Sequence, residues 1–206
     1  VKQDGQAIIA ILRKMYPDAG CELNYSSPFE LLVAVILSAQ CTDRRVNLIT
    51  GKLFERANTA SEIAAMDVGE LEQIIYSCGF YKNKAANIKA SAIDIVERYA
   101  GEVPSSLEKL ISLRGVGRKT ANVVLSEVHG QDAIAVDTHV FRVSRRLGLS
   151  DKNTPNGVEK DLIKVFAGNL SNLHHLLIFH GRYCCHSQKP NCQKCSLKER
   201  CKHVHR

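Results

Sequence analysis

Two helical runs joined through a Gly-Val-Gly turn restrict this chain more than any other stretch. Ser105-Ser106-Leu107-Glu108 reads as a capping box that starts a first helical arm. Leu113-Arg114-Gly115-Val116-Gly117-Arg118-Lys119-Thr120-Ala121-Asn122-Val123-Val124-Leu125 turns and runs on as a second arm to Val128, with Gly130 as its cap. Gly115 and Gly117 are expected to permit the tight turn and to let the backbone approach a ligand without Cβ atoms in the way. The turn feeds a helix N-terminus, where unpaired N–H groups and the helix dipole favour an anion such as phosphate. Arg118 adds positive charge there. Lys119 falls in the first turn, where the dipole favours the neutral amine, and a neutral amine is a nucleophile. The stretch therefore reads as a phosphate-gripping hairpin that presents a reactive lysine.

The rest of the chain is helical in period. Ala7, Ile8, Ile11, Leu12 and Met15 repeat at helical spacing until Tyr16-Pro17. Ser27-Pro28-Phe29-Glu30 is a further capping box with proline at the first helical position. It opens Leu31–Ala39, apolar on nearly every face and so expected at the centre of a core. Helices are expected after Asp43, near 60–66 and 68–77 (closing at Gly79), over 83–99, over 138–147, and over 158–166 and 171–183, with Asp151 to Gly157 as a turn-rich loop. No long segment alternates with a strand period, so the expected class is all-α, about ten helices with short connections.

Charge and length narrow the function classes. No apolar run approaches the ~18 residues that a membrane helix requires, and Val1-Lys2-Gln3-Asp4-Gly5 lacks a signal-peptide pattern. The expected compartment is the cytoplasm. The net charge is +7, of which residues 182–206 carry +6: seven Lys/Arg (Arg182, Lys189, Lys194, Lys198, Arg200, Lys202, Arg206) against Glu199. A basic tail beside a near-neutral body suits a polyanion partner or a locally bound negative group.

That tail also holds Cys185-x6-Cys192-x2-Cys195-x5-Cys201, four cysteines within seventeen residues. Without an export signal, disulfides are disfavoured and a metal is expected. Zinc and a [4Fe–4S] cluster compete. Zinc sites favour two short-gap pairs, and only Cys192/Cys195 has such a gap. The uneven spacing suits wrapping a larger, cube-like object. Cys21, Cys41, Cys78 and Cys184 are read as small apolar residues, Cys184 as a bystander beside the first ligand.

Leu31–Asp43 (LLVAVILSAQCTD), the hairpin Leu113–Leu125, Val136-Asp137-Thr138-His139-Val140-Phe141-Arg142-Val143, His180-Gly181-Arg182-Tyr183 and the four-cysteine loop together resemble the endonuclease III family of DNA glycosylases, in the helix-hairpin-helix superfamily. The resemblance covers nearly the whole chain. It implies two helical domains flanking a cleft: a six-helix domain over 22–132, and a cluster domain made of 1–21 and 133–206 with its four-cysteine loop at 185–201. It implies a [4Fe–4S] cofactor and a monomer acting on double-stranded DNA that carries damaged pyrimidines or abasic sites. It also implies base-excision repair by a bifunctional glycosylase and lyase, with Lys119 as the nucleophile at C1′ and Asp137 as the assisting carboxylate.

On sequence alone Asp137 also serves as an N-cap for the helix at 138, and Lys119 also reads as a phosphate contact. Adenine-removing relatives typically carry Ser at the Lys119 position and thymine-mismatch relatives Tyr, so lysine argues for lyase chemistry. The alternatives are a monofunctional mismatch glycosylase and an iron–sulfur DNA-binding sensor that does not cut. By the same resemblance Gln40 is the plug that fills the gap left by a flipped base, and Phe80 the wedge on the opposite strand, with Ser38, Asp43 and His139 lining the pocket or cleft. Two positions depart from the family pattern: Phe80 stands where Leu is usual, and Arg114 where Pro is common. Phe80 as a plain core residue is the competing reading. His174, His175 and His180 are read as structural or DNA-facing, not as metal ligands.

Overall fold

The computed structural model describes residues 5–205; Val1-Lys2-Gln3-Asp4 and Arg206, the last counted in the basic tail, lie outside them. Among the described residues there are eleven α-helices and two short 3-10 turns, with no strand. No helix is long and apolar enough to cross a membrane. The chain divides into two compact units, Glu22–Gly130 and Val1–Cys21 with Gln131–Arg206.

The first unit is built around α2 (Pro28–Ser38), whose residues from Phe29 to Leu37 are all buried, as its unbroken apolar run requires. Around it pack α3 (Asp43–Arg56), α6 (Tyr81–Tyr99) and α8 (Arg118–Glu127), while α4 (Ala60–Ala65) and α5 (Val68–Ile75) cover α6. The short α7 (Leu107–Ile111) forms the first arm of the hairpin with α8.

The second unit packs α1 (Gly5–Met15), α9 (Thr138–Leu147), α10 (Pro155–Phe166) and α11 (Leu170–Tyr183) around Ile8, Leu12, Val140, Val143, Leu162 and Leu177. The cysteine loop is anchored to this core by Leu197, which is fully buried in it.

Several local expectations shift, each for a stated reason. At the start of α2 Ser27 accepts from the Glu30 amide, but the Glu30 carboxylate returns to the amide and hydroxyl of Ser26 at 2.6 and 2.7 Å, not to Ser27. The cap of α7 is Ser106, one residue later than the capping-box reading, and it accepts from the Lys109 amide. A reciprocal box does occur at Thr59/Glu62. Helix α10 begins inside the expected loop, because Thr154 supplies the cap and Pro155 a preset first turn. Helix α8 ends at Glu127 with Val128 as its cap, and Gly130 (φ +61°) turns the chain two residues later.

Candidate functional site

The hairpin turn separates the two glycines that the sequence treats alike. Gly115 has φ +79°, the left-handed region in which a Cβ is costly. A Cβ there would also lie 2.7 Å from Asn87 Cβ on α6, so only glycine fits the turn against that helix. Gly117 is different: it is the extended N-cap of α8 (φ −88°), and a Cβ on it would meet no atom within 4 Å. Its missing side chain leaves open backbone in front of a helix N-terminus. The turn is further pinned by Ser91, whose hydroxyl donates to the Arg114 carbonyl at 2.6 Å.

Lys119 is the second residue of α8 and is exposed, as are Arg114 and Arg118. The exposed amine thus emerges beside the orphan N–H groups of the helix start, where a phosphate would bind. Val116 and Leu113, buried at 5% and 2%, anchor the turn from beneath.

In the same unit, Gln40 and Phe80 occupy two neighbouring turns. A Cβ built on Gly79 would lie 3.6 Å from the Gln40 carbonyl oxygen. Both residues are left-handed (φ +53° and +58°), a conformation that costs a non-glycine residue about 1–2 kcal/mol. Phe80 is 65% exposed, which removes the core reading; beside it Tyr76 is 66% exposed and meets Tyr81 edge-on at 5.1 Å. Gln40 is exposed too. Ser38 is half-buried with its hydroxyl donating to the Val35 carbonyl, and Asp43, the first residue of α3, is half-buried behind the Thr42 cap.

In the other unit, Asp137 is half-buried and caps α9: its Oδ1 accepts from the Val140 amide at 2.7 Å. Capping engages one oxygen of the carboxylate, so the N-cap and chemical readings are compatible. His139 follows on the first turn of α9. Arg142 points Nη2 at His139 Nδ1 (3.1 Å), and the His139 ring also meets the Gly181 backbone. Burial, with Arg142 and Arg182 nearby, outweighs the Asp137 charge and pulls the His139 pKa below its ordinary value. The helices α9 and α11 approach closely there because residue 181 is glycine; a Cβ on it would sit 2.9 Å from His139 Cβ and Nδ1.

Cys185, Cys192, Cys195 and Cys201 all line one pocket, together with Cys184, His180, Leu147, Pro190 and Val204. The four residues singled out by spacing are therefore brought together, but so is Cys184. His180, Cys184 and Cys195 place one ligand atom each within 4.8 Å of one another, a group able to hold a metal near the C-terminus. Burial, followed by Cys195, pushes the Cys184 thiol up to about 12, and it donates to the Asn191 carbonyl (3.8 Å). His180 is buried, lies 3.8 Å from Cys195 Sγ and 3.1 Å from the Tyr16 hydroxyl, and burial lowers its pKa to about 4. His174 is also buried, with Nδ1 on the Ala135 carbonyl at 2.9 Å, a structural role as expected.

Three residues of consequence escaped the sequence reading. Arg142 and Arg146 on α9 hold the start of the cysteine loop: Arg142 donates to the Gly181 and Cys185 carbonyls (2.9 and 3.1 Å), and Arg146 to the His186 and Ser187 carbonyls (2.6 and 2.9 Å). Their spacing, one helical turn apart beside buried Val143 and Leu147, was the available signal. The third is Lys84, buried at 6% in α6. It falls in register with the apolar stripe of Ile88, Ala92 and Ile95, where a charge requires partners.

Residues 33–167 match the HhH-GPD superfamily of base excision DNA repair proteins. Over 202 residues the chain is 48% identical to the endonuclease III of Synechocystis sp., covering 97% of this chain and 92% of that protein. It is 51% identical over 190 residues to that of Bacillus subtilis, covering 91% of this chain and 87% of that protein. Its structure is similar to that of a trapped endonuclease III–DNA covalent intermediate in an estranged-adenine complex, with TM-score 0.94 and 47% identity, covering 100% of this chain and 97% of that one. A thermostable thymine-DNA glycosylase has the same fold at 21% identity, with TM-score 0.88, covering 97% of this chain and 96% of that one. With the family matched over most of the chain and endonucleases III nearly half identical to it from end to end, this protein belongs to the endonuclease III family of the HhH-GPD superfamily.

Proposed function

We propose that this protein is a base-excision repair enzyme, a bifunctional DNA glycosylase and AP lyase that removes oxidised pyrimidines from double-stranded DNA as a monomer. The observation that carries the reading is Lys119, an exposed amine at the second residue of the helix that leaves a phosphate-accepting turn. Asp137 is its partner in chemistry, and Gln40, Phe80, Gly115, Gly117, Arg118, Asp43 and His139 are the DNA-contacting residues.

The reaction breaks the bond from C1′ to the base nitrogen, with positive charge developing on the sugar. The Lys119 amine attacks C1′ as the base departs with the bonding pair. Loss of the sugar ring oxygen from C1′ then leaves a Schiff base, which acidifies the C2′ proton. Removal of that proton expels the 3′ phosphate by β-elimination, and water releases the lysine. The Asp137 carboxylate stabilises the oxocarbenium-like charge and takes up the lysine proton. A base inside the stack is out of reach, so the nucleotide leaves the helix at a cost of a few kcal/mol. Gln40 fills the vacated space, and Phe80 wedges or stacks against the opposite strand. Formation of a covalent intermediate with DNA by an endonuclease III of 47% identity supports the lysine mechanism.

Cys185, Cys192, Cys195 and Cys201 are proposed to hold a [4Fe–4S] cluster. A single zinc ion would draw four sulfurs to about 3.8 Å of each other around Zn–S bonds near 2.3 Å. The four cysteines line one pocket, and their uneven spacing along the loop suits a body larger than a single zinc ion. When bound, the cluster supplies a rigid cross-link among four loop positions that order the basic residues Lys189, Lys194 and Lys198.

Borohydride trapping on abasic-site DNA tests the chemistry. A covalent adduct with the parent that is absent in Lys119→Ala is expected; no adduct, or one undiminished in that variant, refutes the lyase mechanism. Cleavage of duplexes bearing individual oxidised pyrimidines tests the substrate class. Iron and sulfide analysis tests the cofactor, and a colourless protein containing zinc without iron would overturn it.

A further inference from the structure

We infer that Lys84 is a positioning residue for lesion recognition: its side chain locks together the two turns that carry Gln40 and Phe80. The inference rests on the reading of those two residues as the ones inserted into DNA. Lys84 Nζ donates to the Leu37 carbonyl (2.9 Å) and the Ala39 carbonyl (2.6 Å), and it lies 3.1 Å from Cys78 Sγ. The two carbonyls are orphans at the C-terminal end of α2, where the dipole favours a cation. One buried side chain from α6 thus caps the central helix of the unit at the point where Gln40 leaves it.

The same ammonium reaches the Phe80 turn through Cys78, two residues before Phe80, whose thiol in turn donates to the Leu37 carbonyl at 3.3 Å. The Lys84 backbone amide also donates to the Phe80 carbonyl (3.1 Å), so the first turn of α6 starts from Phe80. Cys41, the neighbour of Gln40, faces the Cys78 thiol, and burial together with that thiol raises its pKa. Lys84, Cys78, Cys41 and the end of α2 therefore form one polar knot, buried at Lys84 and Cys78, beside two exposed, left-handed residues.

The physical need for such a knot is clear. A left-handed glutamine and a left-handed phenylalanine persist only where the surroundings over-determine them. Removing the ammonium takes the donor from the Ala39 carbonyl and leaves the Leu37 carbonyl with the Cys78 thiol alone, which lets both turns relax toward ordinary conformations. The inserting side chains would then have to be reordered each time they enter DNA, slowing base extrusion while leaving Lys119 and its chemistry in place.

The test compares single-turnover cleavage of thymine glycol paired with adenine against thymine glycol opposite a tetrahydrofuran abasic analogue. The second duplex has no partner base to unpair or wedge. Lys84→Met is expected to slow the paired substrate by roughly tenfold or more and the unpaired one by less than about threefold. A 2-aminopurine placed opposite the lesion is expected to brighten with the parent and to stay dim with the variant. Equal losses on both substrates, or no loss on either, overturn the positioning role. Should Lys84→Met fail to fold, Lys84→Arg decides. It keeps charge and donors, but its planar head cannot aim three N–H groups from one nitrogen, so the same substrate-selective loss is expected in smaller degree. An unchanged ratio in that variant refutes the inference. A parent inert on both duplexes would overturn the glycosylase reading, and this role with it.

Discussion

Replacing Gly115 by alanine separates what the two hairpin glycines do. The substitution adds a Cβ at φ +79° and 2.7 Å from Asn87 Cβ, with Asn87 Cγ and Nδ2 at 2.9 Å. The left-handed backbone costs about 1–2 kcal/mol, and forcing an extra carbon against a packed helix about 1–3 kcal/mol more. The sum, about 2–5 kcal/mol, corresponds to a melting temperature lower by roughly 5–15 °C in a chain of this size. Gly117→Ala adds a Cβ into open space at an extended φ and is expected to change stability by no more than about 0.5 kcal/mol. Its cost falls on the ligand instead: the new methyl projects where DNA backbone would approach the helix N-terminus, and affinity for abasic-analogue duplex is expected to drop about tenfold, or 1.4 kcal/mol.

Thermal unfolding by circular dichroism and fluorescence anisotropy with a tetrahydrofuran duplex provide both readouts. Because the nearest atom is Asn87 Cβ, Asn87→Ala leaves the clash and is expected to restore little stability to Gly115→Ala, whereas Asn87→Gly relieves it in the double variant. Equal destabilisation by the two glycine substitutions, or a fully stable Gly115→Ala, would refute the argument.

Asp137→Asn keeps an oxygen able to cap α9 and is expected to leave stability within about 0.5 kcal/mol while lowering cleavage by about 10²-fold or more; Asp137→Ala should also lose about 1 kcal/mol of cap. Denaturant unfolding beside single-turnover cleavage separates the two roles. Gly181→Ala drives a Cβ to 2.9 Å from His139 and 3.1 Å from Arg142 Nη2, and is expected to cost about 1–3 kcal/mol by calorimetry. His139 has a folded pKa below its ordinary 6.5, so the unfolded chain takes up its proton first as pH falls. Its neutral form therefore contributes stability that is fully present above pH 6.5 and declines as pH falls toward the folded value. Ring-resonance titration by NMR should place the midpoint below 6.5, and a midpoint above it would contradict the burial argument. Arg146→Met removes the donors to His186 and Ser187 and is expected to loosen the cysteine loop, read as faster loss of iron absorbance under chelator.

The helices were legible because apolar periodicity is a local property. The run at 31–39 is buried from Leu31 to Leu37, and Ser27 and Asp137 mark helix starts by chemistry that acts within three residues, whereas the start at Thr154 and Pro155 was read as loop. The hairpin and the cysteine spacing were legible for the same reason, since their chemistry is compressed into short stretches. The sequence by itself therefore determined the all-α class, the lysine that follows the turn and the four thiols of one loop.

Tertiary structure decided which of two similar glycines is bound by backbone geometry, because the answer depends on Asn87, twenty-eight residues away on another helix. It also decided that Phe80 is exposed and that Gln40 and Phe80 share a left-handed geometry, which no periodicity encodes. Lys84 is the clearest case. In sequence it is one lysine among many on a long helix; in the fold its partners lie 45 and 47 residues earlier. A buried charge is defined by the acceptors that surround it, and those are assembled only when the central helix ends beside the start of another.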